Sequence, residues 1–514
     1  MPVPFDVKHF FGNKQKDGDS TSNPSSNTTT HPFNFEDGSY QYPSMAEEAL
    51  EMLQVSMLIY SITDLRSLAK HPKKSTTIKA PQRILDLPLS LTTCLELLEE
   101  NYDVVKETFG DDEHANTISS LQSIHARYQQ LHQNNNTSPK NNATVSFVAQ
   151  WLNPLLSSGD SQGIEVQPSS SSTTTIPQVP LLTAYGDENP ETDMVYAVGI
   201  DPIRKRVTVA FRGSVTPTDF IKDASIIMNH QPNPIKQLYP HHEYDTVGIH
   251  QGFFDYLLKK RIQNRNKLEE IVEHVIALFR EVPERQSTYK LYVTGHSLGG
   301  ALATLFSLYV ASSIGDKSSN IPGPVSCISV ASPRVGDRNF QAAFAHLEEH
   351  GLLRHLRIAN RRDPVTIMPG ATGKKIWATL SPVSFIAFKL MDNQFSEKET
   401  FRHTGIKLLL GKGEYEFFYA GNPLDDVDVD DQKASQDEAS PASNASTKEK
   451  SRQKTKSIQK EKIPDVVFHL GKAYTDNITS VAQQLSNMSL NDLYRIQVAA
   501  IVAKSGMVEE GEQS

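Results

Sequence analysis

The stretch Gly295-His296-Ser297-Leu298-Gly299 holds a serine between two glycines, where an apolar run gives way to an alanine- and leucine-rich one. A serine hydroxyl is a weak nucleophile at neutral pH. It acts only with a base at hand, and only if it stands clear of its own backbone. Glycines two residues before and after it let a strand and a helix approach closely around a strained residue. The run entering the turn, Lys290-Leu291-Tyr292-Val293-Thr294, is rich in strand formers. The run leaving it, Gly300 to Val310, carries Ala301, Leu302, Leu305, Phe306 and Leu308 at helical spacing. Strand, sharp turn and helix form the context of a nucleophile elbow. Taken alone, Gly-x-Ser-x-Gly is a loose pattern that a glycine-rich turn also carries. Acyl transfer by serine further requires a base within hydrogen-bond reach and an acid that orients the base.

The pattern along the chain indicates the elements that must position such residues. "MVYAVGID" and "RVTVAFRG" read as two strands joined at Asp201-Pro202. A helix is predicted over about 252–280, then the strand into Ser297 and its helix, then the strands "VSCISVASP" and "LLRHLRIAN". Strands alternating with helices indicate a mostly parallel sheet covered on both faces, an α/β fold. Active sites in such sheets lie at the carboxyl ends of strands, where Ser297 falls.

With 38% apolar and 22% charged residues in 514, the composition is polar for a fully globular chain, so a normal core is diluted by unstructured tracts. Residues 1–43 are polar and predicted disordered. Residues 44–156 form a helical region, with further helical stretches near 85–109 and 115–133 and a short segment around Trp151. The expected role of this region is packing against the rest of the chain. A linker at 157–179 leads to a core at 180–420. A low-complexity insertion spans 421–463, a C-terminal part 464–505, and a tail 506–514. The acidic run Asp425 to Asp431 lacks the glycine and terminal glutamate of a calcium loop and reads as a solvated tract.

A net charge of −9 argues against an electrostatic nucleic-acid binder. Cys94 and Cys327 are the two cysteines, so there is no disulfide framework and no cysteine cluster for a metal. The first twenty residues lack the apolar core of a secretory signal, and no window reaches the length of a membrane span. A cytoplasmic protein is the expectation.

Five ordered motifs together resemble the class 3, fungal-type lipases of the α/β-hydrolase fold. They are "VTVAFRGSVTPTDFIKD", "GIHQGFFDYL", "VTGHSLGGALATL", "VASPRVGDRNF" and "RIANRRDPVTIMP". The match covers about 193–369, with a short stretch around His469. It leaves the first 180 residues and the insertion unexplained.

The resemblance implies a chain order of nucleophile, acid, histidine. Ser297 is then the nucleophile and Asp363, before Pro364, the acid; Asp337 comes one strand too early. His403 and His469 are the histidines after Asp363. By resemblance His469 in "DVVFHLGKAY" is the base and His403 in "FRHTGIKLLL" the less favoured alternative. The oxyanion donors implied are the backbone N–H of Leu298, the residue after the nucleophile, and Ser214. Arg212 and His296 are expected to be structural. A lid follows the oxyanion serine in this family. Here Phe220, Ile221, Ile226, Ile227 and Met228 would give it one apolar face as a short helix. A second apolar segment, 376–391, is read as core or acyl pocket.

The implied activity is a serine carboxylic-ester hydrolase cleaving fatty-acyl esters of triacylglycerol or diacylglycerol, with no metal or cofactor. The alternatives are a phospholipase A1 or galactolipase and, from another class, a non-catalytic lipase-like scaffold that binds lipid or protein. The implied partner is a lipid surface, membrane or droplet, with no nucleic acid. The N-terminal helices could also serve to locate the enzyme.

Overall fold

The computed structural model describes residues 40–72, 77–109, 180–190, 193–202, 204–214, 227–235, 244–261, 264–314, 320–369, 401–420 and 468–496. Several expectations lie outside these residues. They concern the N-terminal tract through residue 39, the helix at 115–133, the segment around Trp151, the lid residues Phe220, Ile221 and Ile226, the apolar segment 376–391 and the insertion 421–463.

In chain order the first elements are α1 (Met45–Lys70), α2 (Pro81–Leu85), β1 (Leu89–Ser90), α3 (Leu91–Glu100), α4 (Tyr102–Phe109), β2 (Leu181–Gly186), β3 (Tyr196–Asp201), β4 (Arg206–Phe211), β5 (Met228–Pro232) and β6 (Thr246–His250). There follow α5 (Gln251–Leu257), α6 (Lys267–Glu281), α7 (Arg285–Thr288), β7 (Lys290–His296), α8 (Leu298–Ile314), β8 (Val325–Val330), α9 (Arg338–Glu349), β9 (Leu353–Asn360), β10 (Ile406–Leu410), β11 (Tyr415–Tyr419) and α10 (Gly471–Leu485). Nine strands form one sheet in the order β1-β2-β3-β4-β7-β8-β9-β10-β11, and β5 pairs with β6 separately. The centre, β4-β7-β8-β9-β10, is parallel. The margins are antiparallel: β1, β2 and β3 on one side, β11 on the other.

Alternation along the central strands sorts their side chains onto two faces. Val207, Val209, Phe211, Leu291 and Val293 enter the core shared with α5, α6, α8 and α9. Ala210, Tyr292, Ile328, Leu356 and Ile358 enter the core shared with α1 and α10. The sheet is thus covered on both faces, as an α/β-hydrolase requires. Helix α8, buried on nearly every side, is apolar almost throughout, consistent with its place under the sheet centre.

Helix α1 covers one face rather than decorating it. Ser44 caps it in a capping box with Glu47. Glu48 is fully buried and ion-paired with Arg354 of β9, and it accepts a hydrogen bond from the Tyr292 hydroxyl of β7 at 2.6 Å. Glu51 pairs with buried Arg206 of β4.

Two readings of the sequence need correction. The single helix expected over 252–280 is two, α5 and α6. Asn266 opens the second with a capping box to Glu269, which starts a new helix instead of continuing the old one. The helix expected over 85–109 is broken twice. The chain leaves α2 at Leu85 and adds β1 to the edge of the sheet before α3 begins. At Asn101 the side chain turns back to donate to the Leu97 carbonyl at 2.8 Å, separating α3 from α4.

Candidate active site

β7 delivers the chain to Ser297 and α8 takes it away at Leu298. Ser297 has φ +59°, in the left-handed region that L-residues avoid. Its amide donates to the Val330 carbonyl of neighbouring β8 at 2.9 Å, which fixes the turn to the sheet. Both flanking glycines are sterically required. A Cβ on Gly295 would lie 2.3 Å from the Gly299 carbonyl, and one on Gly299 would lie 2.2 Å from the Phe211 carbonyl of β4. Strand, turn and helix touch backbone to backbone, so the serine is pushed out of the bend.

Asp363 and His469 come together, as the motif order implied. The Nδ1 of His469 lies 2.9 Å from Oδ2 and 3.1 Å from Oδ1 of Asp363, with both side chains buried. The carboxylate can only accept from this ring, so Nδ1 carries the proton and Nε2 presents its lone pair. That Nε2 is buried and has no hydrogen-bond partner among the described residues. A buried imidazole nitrogen left as a bare acceptor is what a general base needs before substrate arrives.

The acid sits just past the end of β9. Arg362 before it has φ +69°, and Asp363 Oδ1 accepts from the Val365 amide at 2.9 Å. The Tyr474 hydroxyl donates to Oδ2 at 2.7 Å, and the tyrosine oxygen in turn accepts from the Asn360 amide at 3.0 Å. Burial, followed by the neighbouring Asp363 charge, pushes the Tyr474 phenol well above its ordinary range, so it stays a donor. Asn360 Nδ2 donates to the Phe468 carbonyl at 2.9 Å, tying the strand end to the residue before the histidine. Sequence reasoning does not single out Tyr474 or Asn360. The aromatic one turn after His469 is a visible signal, but its role depends on contacts with β9.

His403 is not oriented by Asp363. Its Nε2 donates to the Thr366 carbonyl at 2.6 Å. Burial, then Arg357, Arg334 and Lys407, push its pKa well below the ordinary value, so it remains neutral. It braces the acid loop, since the Thr366 hydroxyl in turn donates to the Asp363 carbonyl at 2.9 Å. Asp337, the rival acid, caps α9 by accepting from the Phe340 amide at 2.8 Å.

The expected oxyanion donors flank the nucleophile. Leu298 is the first residue of α8, where N–H groups lack intrahelical acceptors and the helix dipole favours negative charge. Ser214 follows Gly213 beyond β4. A Cβ on Gly213 would lie 2.5 Å from the His296 carbonyl and 3.1 Å from Ser297 Cβ, so this loop rests on the nucleophile turn. Arg212 is buried and donates to the Pro190 carbonyl, beneath the loop.

Of the lid residues, Ile227 and Met228 are described, and they do not form a helical face. Met228 opens β5 opposite His250 of β6, and the Ile227 carbonyl accepts from the Gln251 amide at 2.9 Å. Pairing with β6 sets an extended backbone there. Ile227 is 54% exposed and contributes no closed cover.

The sheet, the elbow at Ser297 and the Asp363–His469 pair have the arrangement of an α/β-hydrolase fold. Over residues 208–373 the chain matches the family model described as Lipase (class 3), which establishes the motif resemblance for that segment. Phospholipase A1-II 3 of Oryza sativa subsp. japonica is 32% identical over 184 residues, 34% of this chain and 42% of that protein. Phospholipase A1-IIgamma of Arabidopsis thaliana is 30% identical over 173 residues, 32% of this chain and 39% of that protein. The chain therefore spans less than half the length of these curated relatives. Among solved structures, the Rhizomucor miehei triacylglyceride lipase aligns with 25% identity and a TM-score of 0.28, over 42% of this chain and 62% of that one. A triacylglycerol lipase from Penicillium expansum aligns with 20% identity and a TM-score of 0.32, over 46% and 73% respectively.

Proposed function

We propose that the protein is a serine carboxylic-ester hydrolase acting on fatty-acyl esters of glycerolipids. The observation that carries this reading is the buried, unpartnered Nε2 of His469, with Nδ1 locked on Asp363 and its ring 4.7 Å from that of His296, the residue before a serine held at φ +59°. In the reaction, Ser297 Oγ attacks the ester carbonyl while His469 Nε2 takes its proton. Asp363 holds the imidazole in the required tautomer and stabilises the imidazolium. The Leu298 amide and Ser214 receive the charge of the tetrahedral intermediate. The imidazolium then protonates the departing alcohol. Water, activated by the same nitrogen, releases the fatty acid from the acyl-enzyme. Every step uses side chains and amides of this chain.

Two head-group readings are open to experiment. The resemblance implies triacylglycerol or diacylglycerol, with a phospholipase A1 or galactolipase as the alternative. Nothing in the sequence separates these, and the curated relatives at 30–32% identity carry the name phospholipase A1. Substrates of either kind sit in an interface, so the proposed partner is a lipid surface. Among the described residues no helix is long and apolar enough to cross a membrane. Peripheral action on droplets or membranes is proposed on the substrate class. The complete constellation disfavours the non-catalytic scaffold.

The test is labelling of the full chain in detergent micelles with a fluorophosphonate that reacts with activated serines. An adduct confined to Ser297, lost in His469→Ala and kept in His403→Ala, is the expected result. Folded protein with no adduct would return the scaffold reading. Emulsions of triacylglycerol and vesicles of phosphatidylcholine, assayed side by side for fatty-acid release, then separate the two head-group readings.

A further inference from the structure

One buried side chain from outside the matched segment reaches both halves of the candidate site. Tyr60 of α1 lies at 1% exposure, with its hydroxyl 3.3 Å from Nδ1 of His296. The Nε2 of the same ring lies 2.8 Å from the backbone carbonyl of His469. A carbonyl only accepts, so Nε2 carries the ring proton. Burial, then the neighbouring His469, pushes the His296 pKa down to about 3, so the ring is neutral and Nδ1 is an acceptor. Tyr60 therefore donates to Nδ1. On its other side the phenol oxygen lies against Gly213. It is so close that a Cβ on Gly213 would lie 2.3 Å from it.

The hydrogen bonds have one polarity throughout. Tyr60 donates to His296, and His296 donates to the backbone of His469, while Gly213 packs against the phenol oxygen. Gly213 precedes Ser214, and His296 precedes Ser297. One phenol thus spans the oxyanion loop, the nucleophile turn and the backbone of the base. The His296 and His469 rings also lie 4.7 Å apart between centroids, so a shift of one moves the other. Tyr60 is itself held from behind, because the Ile59 carbonyl accepts from the Tyr185 hydroxyl of β2 at 2.9 Å.

We propose that Tyr60 is a positioning residue for ester hydrolysis: through Gly213 and His296 its hydroxyl fixes the oxyanion loop relative to His469. The proposal rests on the hydrolase reading of the site. It also gives α1 a part in the chemistry, where the sequence implied packing or a role in locating the enzyme.

The experiment compares the full wild-type chain with Tyr60→Phe, His296→Gln, the double variant, and Ile59→Val as a packing control in the same helical turn. Rates of fluorophosphonate labelling at Ser297 and kcat and KM on a p-nitrophenyl ester are measured in micelles, beside thermal melts. Tyr60→Phe is expected to lower kcat and the labelling rate about ten- to a hundredfold, the scale on which small misplacements act, with KM within about threefold. His296→Gln should lose a similar factor. The double variant should fall no more than about threefold below the lower single variant, because both break one chain. Ile59→Val should leave kcat within about twofold while losing some thermal stability.

Labelled wild type together with an equally labelled, folded Tyr60→Phe overturns this inference and leaves the hydrolase reading standing. Multiplicative losses in the double variant overturn the shared chain. Should Tyr60→Phe not fold, a folded His296→Gln with full kcat overturns it as well. An unlabelled wild type removes the hydrolase reading and this inference with it.

Discussion

The Tyr474 hydroxyl donates to Asp363 Oδ2 at 2.7 Å, the same oxygen that lies 2.9 Å from His469 Nδ1. One carboxylate oxygen thus serves a tyrosine on α10 and the imidazole that precedes that helix. The tyrosine oxygen also accepts the Asn360 amide at the end of β9. Acid and base are consequently fixed to each other by a fully buried residue.

Tyr474→Phe removes a donor from the carboxylate and an acceptor from a buried amide. Leaving that amide unpaired costs about 1–3 kcal/mol. A loss of this size in urea or thermal unfolding is expected, together with a fall in kcat of about tenfold as the imidazole loses its fixed orientation. A kcat equal to wild type would mean that Val365 and His469 alone hold Asp363 in place.

Ser297 tests the strain at the elbow separately from its chemistry. Both Ser297→Ala and Ser297→Gly remove the proposed nucleophile, and both should be inactive. At φ +59° alanine keeps the left-handed penalty and glycine does not. That penalty is about 1–2 kcal/mol, partly offset by the greater freedom of glycine in the unfolded chain. Ser297→Gly should therefore be the more stable of the two, by about 1 kcal/mol in chemical denaturation. Equal stabilities would show that the turn relaxes once the hydroxyl is gone.

Much of this arrangement is legible in the sequence. The strand, the glycine spacing and the helix around Ser297 announce the elbow. The chain order of Asp363 and His469 leaves one alternative, His403, which its bond to Thr366 places in a bracing role. What escapes a sequence reading are contacts made by residues of ordinary type at large sequence separation. Tyr60 and His296 are 236 positions apart, and nothing in the local pattern around Tyr60 marks it as different from other α1 core residues. The helix breaks at Asn101 and Asn266 escape for another reason. Side-chain capping by asparagine interrupts a helix without disturbing the apolar spacing on which periodicity depends. The spacing at Met228 fits a helix, and pairing with β6 overrides it.

Glu348 of α9 should shape the pH dependence of stability. It is buried, and desolvation pushes its carboxyl up from 4.5 to about 8, with the Tyr494 hydroxyl partly opposing the shift. In the native state it stays protonated where the unfolded chain has already ionised. The unfolded state then binds fewer protons between about pH 4.5 and 8, so this group makes stability fall as pH rises through that window. Glu348→Gln keeps an acceptor for Tyr494 and removes the titration. Thermal melts at about pH 5 and about pH 8 should show the variant gaining on wild type at the higher pH. A constant offset between the two proteins would mean that Glu348 is ionised throughout.

The N-terminal helical region provides the last test, because its attachment decides whether it can be treated as a separable targeting module. Helix α1 contributes Met45, Met52, Leu53 and Tyr60 to the core beneath the central strands. Its Glu48 lies at 0% exposure against Arg354, also at 0%. Glu48→Ala would strand a buried guanidinium, and breaking such a pair costs about 3–5 kcal/mol. A variant that unfolds at markedly lower denaturant is expected, with Ser297 labelling intact in whatever fraction remains folded. Truncation to residues 176–514 goes further. It strips that face of the sheet of its α1 cover and removes Glu51 and Glu48, the carboxylates paired with Arg206 and Arg354. The truncated chain should be insoluble, or soluble with exposed apolar surface detectable by dye binding. A soluble, cooperative and active 176–514 chain would show that α1 is dispensable, and would restore the view that these helices only decide where the enzyme goes.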